Sequence, residues 1–328
     1  MKKYLQTNSG RIVIALIIIL VLTLITVSMG LTWNSLAFKL PRRLNKILAY
    51  LIVSFSISYS AISFQTLTNN KLLTPSVMGL DSLYMFIQTI IVFIFGSGKI
   101  EMLSGPFNYF LSLIVMVGFS MILFAILFKR EQNSIYFLLL VGMVFGSLFG
   151  GLSSFMQVIL DPNEFLLVQG KMFASFDNIN TNLLLISLVI TVAIFILNLN
   201  DYRKLDVLSL GKNQAISLGL DYNKLVLKNL ISISILTAVS TALVGPITFL
   251  GLIIASLSTH IFNSHKHSVR IFGGTLICNI ALLASVLIVE NVFKMGTTVS
   301  VVINFVGGIY FIYLILKGAK KWLHLMRY

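Results

Sequence analysis

Charge is scarce in this sequence. Only 10% of the 328 residues are charged, whereas 57% are hydrophobic. An ordinary soluble domain has about 25% charged residues, so this chain has too little polar surface to close a globule in water. A membrane-spanning helix needs about 20 apolar residues, and about ten such helices fit this length. The sequence therefore predicts an all-α integral membrane protein that forms one transmembrane domain over residues 1–328.

Cysteine and acidic residues are also few, which excludes several classes of function. The single cysteine, Cys278, lies inside an apolar run, so one copy can build neither a disulfide framework nor a cysteine-based metal site. The net charge of +14 comes from basic residues scattered between apolar runs, not gathered on one face as in a nucleic-acid-binding domain. We expect no nucleic-acid partner. Because no nucleophile, base and metal set converges, we expect no catalytic site either.

Ten apolar runs are the candidate spans. They cover roughly residues 12–31, 47–67, 76–96, 107–128, 134–160, 182–199, 225–244, 247–263, 271–292 and 298–316. An even number of spans places both termini on one side of the membrane. With the N-terminus inside, 17 of the 24 basic residues fall on inner segments and seven on outer ones, and the positive-inside rule then predicts cytoplasmic termini.

A polar stretch, Leu210 to Asp221, interrupts the apolar runs at one defined place. Residues Asn213 to Leu218 are compatible with a short helix after Gly211, and Gly219 offers a left-handed stop. By composition alone, an ordinary inner loop would look similar. One span later the chain continues with Gly-Pro-Ile-Thr-Phe-Leu-Gly-Leu, from Gly245 onward.

The two motifs together resemble the permease subunits of bacterial iron-siderophore and cobalamin (FecCD-type) ABC importers. The resemblance implies a type II ABC importer permease fold in the bacterial cell membrane and a cytoplasmic coupling segment over about residues 205–224. The residues that it assigns to ATPase coupling are Leu210, Gly211, Gln214, Ala215, Ser217, Leu218 and Gly219. The implied partners are lipid, a second permease chain (identical or paralogous), two cytoplasmic ATPase subunits and an extracellular or periplasmic siderophore-binding protein. ATP and magnesium would bind to the ATPase, so we expect no cofactor on this chain.

A basic cluster precedes the second span on the predicted outer side, where the positive-inside rule favours few cations. Its sequence Lys-Leu-Pro-Arg, from Lys39 to Arg42, resembles an Arg-Leu-Pro-Arg motif that presents basic side chains to glutamates of the binding protein. The resemblance implies a docking site made of Lys39, Arg42 and Arg43, with Lys294 on another outer loop. Anchoring of these cations at lipid head groups is the alternative.

Two further groups are candidates for the translocation path. Gln65 and Asn70 lie in a stretch that resembles the family motif Gln-x4-Asn-Pro-Leu-Ala-x-Pro-x3-Gly, and its ending is similar to permeases for catecholate-type siderophores. Gly142, Gly146 and Gly150 recur at four-residue spacing. Small residues on one stripe allow helices to approach closely, but they would also make a smooth wall for a wide substrate. Both interpretations of the glycines stay open at this point.

The resemblance implies import of a ferric siderophore, with haem or cobalamin as alternative substrates. A secondary transporter would need a coupling carboxylate within the spans, and only Asp81 and Glu290 come close. The sequence Gly-Ser-Gly-Lys that ends at Lys99 lacks the first glycine and the hydroxyl of a phosphate-binding loop, so ATP hydrolysis by this chain is not expected.

Three histidines, His260, His265 and His267, cluster at the inner end of the eighth span. Histidines are common metal ligands, but no carboxylate or cysteine accompanies these three. Their neighbours Lys266 and Arg270 are cationic and disfavour a divalent ion. We therefore expect no metal site.

Overall fold

The helices of the protein follow the apolar runs of its sequence. A computed structural model describes residues 7–29, 36–96, 105–129, 135–176, 179–294 and 296–325. Within these ranges the regular structure is helical throughout. The α-helices are α1 Asn8–Ser28, α2 Leu36–Thr68, α3 Leu80–Phe95, α4 Pro106–Lys129, α5 Ile135–Ile159, α6 Pro162–Lys171, α7 Thr181–Asn198, α8 Asp201–Leu208, α9 Lys212–Ser217, α10 Tyr222–Val244, α11 Leu250–Phe262, α12 His267–Asn291 and α13 Val299–Leu325, with a 3-10 helix at Pro75–Met78.

Ten of these helices correspond one to one to the predicted spans. Seven of them (α1, α2, α4, α5, α7, α10 and α12) are long and apolar enough to cross a membrane, and α3, α11 and the apolar part of α13 are shorter apolar helices. The prediction of an all-α integral membrane protein with about ten spans is confirmed. The remaining helices, α6, α8 and α9, are short segments between spans.

Helix α2 is the centre of the bundle. Of its most apolar stretch 72% is buried, compared with 11% for α1. It packs against α7, α10, α11 and α12. Two of its hydroxyls bond to these neighbours: Ser58 Oγ donates to Ile271 O at 2.9 Å, and the Tyr59 hydroxyl donates to Asn229 Oδ1 at 2.8 Å. Because polar groups in lipid need partners inside the protein, the serine-rich sequence of α2 favours an interior position.

Helices α3 and α11 are short because non-helical chain precedes each of them. They have 16 and 13 residues, which is roughly 24 and 20 Å of helix at 1.5 Å per residue, against a hydrocarbon core of ~30 Å. The non-helical stretches 69–74 and 245–249 contribute to one cavity of about 40 Å³ between α2 and α10. Irregular backbone at membrane depth is tolerated where protein surrounds it or a cavity adjoins it.

The first residue of α8, Asp201, joins that helix to two spans. Its Oδ1 lies 2.9 Å from Lys204 Nζ and its Oδ2 lies 2.5 Å from Lys228 Nζ on α10. Lys228 Nζ also donates to Leu197 O, near the end of α7, at 2.8 Å. Burial raises the pKa of the Asp201 carboxyl, but its hydrogen bonds to Lys228 and Lys204 outweigh burial and hold the pKa below its usual range. The segment that leads to α9 is therefore held to the ends of α7 and α10.

We expect Lys228→Met to destabilise the protein more than Lys224→Met. Removing Lys228 leaves one oxygen of the buried Asp201 carboxylate unpaired, at a cost of about 1–3 kcal/mol. Lys224 pairs with Asp221 at an exposed site on the same helix, where an ion pair adds little. Thermal unfolding of the purified protein in detergent measures both changes. Equal shifts in Tm for the two variants would contradict the role given to Asp201.

Candidate coupling and docking surfaces

The predicted coupling helix is present as α9 and lies between two glycines. Gly211 precedes it with φ +108°, and Gly219 follows it with φ +83°. Leu220 N donates to Ala215 O at 3.1 Å and Gly219 N donates to Ile216 O at 2.9 Å. This pair of hydrogen bonds is typical of a helix that ends at a left-handed glycine. The prediction of a short helix stopped by Gly219 is confirmed.

One side of α9 is buried, and three apolar side chains in and beside this helix are exposed. Ala215 is fully buried within the main hydrophobic core. Leu210 is 57% exposed, Ile216 49% and Leu218 63%, and we call these three residues the coupling patch. Among the other predicted coupling residues, Gln214, Ser217 and Gly219 are exposed and Gly211 is half-buried. A cluster of exposed apolar side chains on a segment outside the spans is typical of a protein contact surface.

A buried histidine links α8, and through it α9, to two spans. Asp206 Oδ1 accepts a hydrogen bond from His267 N at 2.6 Å and lies 2.7 Å from His267 Nδ1. The other ring nitrogen, Nε2, lies 2.7 Å from Thr66 Oγ1 on the last turns of α2. An ionised carboxylate can only accept hydrogen bonds, so Nδ1 carries a hydrogen. The chain of contacts from Asp206 through His267 to Thr66 therefore joins the start of α12 and the end of α2 to α8.

The sequence alone does not predict the roles of Asp206 and His267. His267 lies near His260 and His265 in the sequence, but it alone of the three is buried. In the described part of the chain no three His, Cys, Asp or Glu side chains are placed to hold a metal ion. A signal for Asp206 did exist, because it is one of few carboxylates among the mostly basic inner segments. Only the fold, however, brings it to a histidine 61 residues away.

The predicted docking residues do not all lie together. Lys39, Arg42 and Arg43 line a cavity of about 310 Å³ that Lys46 and Glu290 also line. Lys294, exposed on the loop after α12, does not line it.

Arg43 also has a structural role. Its Nη1 donates to Thr26 O at 2.7 Å and to Val27 O at 2.6 Å, and its Nη2 donates to Met29 O. Because the last carbonyls of a helix have no partner within that helix, Arg43 stabilises the end of α1. The side chains of Lys39 and Arg42 are exposed at the same site.

Gln65 and Asn70 form hydrogen bonds with the backbone of the turn that follows α2. Gln65 Nε2 donates to Lys71 O at 2.7 Å, and Asn70 Oδ1 accepts from Leu72 N at 2.9 Å. Gln65 is buried. Both side chains therefore stabilise local backbone at the start of the non-helical stretch before α3. A role of either side chain in the translocation path stays a prediction.

The three glycines of α5 differ in their surroundings. A Cβ on Gly142 would lie 2.8 Å from Met78 Cα, and one on Gly146 would lie 3.0 Å from Gly79 Cα. A Cβ on Gly150 would meet nothing within 4 Å. The first two glycines therefore permit close packing of α5 on the backbone before α3, whereas Gly150 faces open space. The packing interpretation fits Gly142 and Gly146, and a path-lining role remains a prediction for Gly150.

We expect Gly142→Ala to destabilise the protein and Gly150→Ala to leave its stability unchanged. A methyl group at Gly142 would force α5 away from the backbone at Met78, and overpacking of this kind costs about 1–3 kcal/mol. Gly150→Ala is the matched control because it makes the same change on the same helix. Thermal unfolding in detergent compares the two variants. A loss of stability in both, or in neither, would contradict the assignment of packing to Gly142.

The fold is that of an ABC transporter permease. A solved structure described as an inward-facing metal-chelate type ABC transporter superposes with a TM-score of 0.79 at 22% identity, covering 95% of this chain and 100% of that one. A model of the FecCD transport family matches residues 8–317. The chain therefore belongs to the FecCD transport family.

Curated relatives with similar sequences are permeases of siderophore import systems. The petrobactin import system permease protein YclO of Bacillus subtilis (strain 168) is 50% identical over 87% of this chain and 90% of its own length. The petrobactin import system permease protein FatC of Bacillus anthracis is 33% identical over 84% of this chain and 78% of its own length. The ferric enterobactin transport system permease protein FepD of Escherichia coli (strain K12) is 29% identical over 86% of this chain and 82% of its own length.

Proposed function

We propose that this chain is the permease subunit of an ATP-driven ABC importer that takes up a ferric siderophore across the bacterial cell membrane. The observation that carries the proposal is the 50% identity, over 87% of this chain, to a petrobactin import permease. A vitamin B12 import permease of Vibrio vulnificus (strain CMCP6) is 26% identical over 68% of this chain, so the sequence favours a siderophore over cobalamin. On the same grounds we infer a petrobactin-like chelate as the substrate.

The coupling patch is the surface that we assign to the ATPase. In the proposed assembly both termini and α9 face the cytoplasm, two ATPase subunits bind ATP and magnesium, and a second permease chain completes the path. Support comes from the exposed apolar side chains of Ile216 on α9 and of Leu210 and Leu218 beside it, and from Ala215, whose burial anchors the helix. Movement of α9 would reach α2 through Asp206 and His267.

We expect the chain to restore ferric petrobactin uptake to a bacterium that lacks its own petrobactin permease, when its cognate ATPase and binding protein are expressed with it. Leu218→Asp should abolish this uptake and the copurification of the ATPase, because a charge is placed in the coupling patch. Leu72→Asp is the matched control, since Leu72 is 47% exposed and lies outside both the patch and the predicted spans. Uptake of radioactive iron measures the result. Uptake of haem or cobalamin in place of the chelate would contradict the substrate.

For the outer basic residues we propose docking of the siderophore-binding protein, with Arg42 and Lys39 as its contacts. Arg43 contributes mainly by stabilising the end of α1. This role is supported by the three backbone carbonyls to which its guanidinium donates. Lys294 would contact a separate part of the binding protein. Head-group anchoring of the same cations is the alternative to docking.

We expect Arg42→Glu to slow association of the binding protein. Charges at the rim of an interface act mainly on association rate and its salt dependence. Arg43→Glu should lower Tm as well, because it removes the partner of three carbonyls. Surface-plasmon resonance at 0.1 M and 1 M salt, where the Debye length is ~10 Å and ~3 Å, measures the rate. Unchanged rates for Arg42→Glu at both concentrations would exclude the docking role.

A further inference from the structure

A second outer cavity lies away from the basic cluster. It has a volume of about 370 Å³ and lies between α6, the start of α4, the start of α7 and the end of α10, which is the outer side in the predicted orientation. Its polar wall includes Tyr84, Asn108, Tyr109 and Lys171. Small-molecule sites span about 300–1,000 Å³, so this volume suits a small ligand or one arm of a larger one.

Lys171 is the single charged residue among those that line the cavity. It lies at the last position of α6, and burial lowers the pKa of its ammonium. Within the described ranges it makes neither a hydrogen bond nor an ion pair. Glu164, on the same helix, is seven residues earlier, which is about 10 Å along the helix axis. Lys171 is half-buried, so its ammonium has lost part of its water, and an anion in the cavity would stabilise it.

The residues that form the wall around Lys171 are held by hydrogen bonds to their neighbours. Asn108 exchanges two hydrogen bonds with Gln88, at 2.7 and 2.8 Å. The Tyr109 hydroxyl lies 2.7 Å from Ser187 Oγ. Below them, Ser175 N donates to Val244 O at 2.8 Å and closes the loop after α6 onto the end of α10. These contacts fix the shape of the site without a ligand.

The hydroxyl of Tyr84 remains available beside this network. Tyr84 is 4% exposed and lines the cavity, and no partner for its hydroxyl occurs among the described residues. A phenol can donate one hydrogen bond, and an ammonium can donate three. Both donors suit an oxyanion, and no carboxylate among the lining residues opposes one.

We propose that this cavity is an oxyanion-binding site in which Lys171 and Tyr84 hold a carboxylate or a phenolate oxygen. Resting on the proposed function, we assign the anion to an arm of the ferric chelate that enters from the outer side. A lipid phosphate offers the same oxygen chemistry and is the other source. The cavity is distinct from the docking cluster, with which it shares no lining residue.

Protection of the Lys171 amine tests the proposal directly. The purified permease is kept in a maltoside detergent, which contains no phosphate, and treated with an amine-acylating reagent, and mass spectrometry measures labelling of Lys171. We expect the ferric chelate of the uptake test to reduce labelling of Lys171 but not of Lys71, an exposed lysine elsewhere. Protection by phosphatidylglycerol nanodiscs without chelate would support the oxyanion site and assign it to lipid. Unchanged labelling with both probes would overturn the proposal.

Substitutions of Lys171 and Tyr84 test whether the charge of the lysine, and not only the shape of the cavity, is needed for binding. We expect Lys171→Met to weaken chelate binding to the purified permease by about tenfold, as loss of one hydrogen bond to a charged group predicts. Lys171→Arg should retain most of the affinity, and Tyr84→Phe should lose part of it. Equal affinity in Lys171→Met and the unmodified protein would refute the site even where uptake succeeds. Protection by phosphatidylglycerol in a chain that imports no chelate would refute the proposed function and keep the site.

Discussion

A polar group inside the membrane is costly unless the protein surrounds it, and this constraint arranges the chain around α2. The hydroxyls of Ser58 and Tyr59 on α2 bond to a carbonyl and an amide of neighbouring helices. The helices with few polar side chains, such as α1, lie at the periphery instead. The same constraint explains where the irregular stretches before α3 and α11 lie, since each is enclosed by protein at a shared cavity.

The constraint also fixes the segment that carries α9. Asp201 and Asp206 are carboxylates on one short helix, and each is bound by groups that belong to spans. A rigid connection of this kind can transmit a movement of α9 to the spans. In a loosely tethered loop, the same movement would change only the loop's own conformation. The coupling patch is thus exposed at the end of a helix pair whose other side is joined to α2, α10 and α12. In the proposed importer, this is how ATP binding outside the membrane would move helices within it.

The spans and the coupling helix could be predicted because their signals are local. Apolar runs determine the spans, and Gly211 and Gly219 set the bounds of α9. What could not be predicted depends on which helix faces meet. The glycines at 142 and 150 look equivalent in sequence, yet one touches backbone and the other faces open space. Arg43 binds the end of α1, and His267 finds Asp206, through contacts between distant parts of the chain.

The central claim is that movement at α9 reaches α2 through the contacts of Asp206 with His267. The most direct measurement is the number of chelates imported per ATP hydrolysed, in proteoliposomes that contain the complete importer with Asp206→Ala. The account predicts that the ATPase still copurifies and hydrolyses ATP while this ratio falls. Thr66→Val should lower the ratio too, and the double variant should lose less than the sum of the two, because both act on one connection. An unchanged ratio with Asp206→Ala would contradict the account.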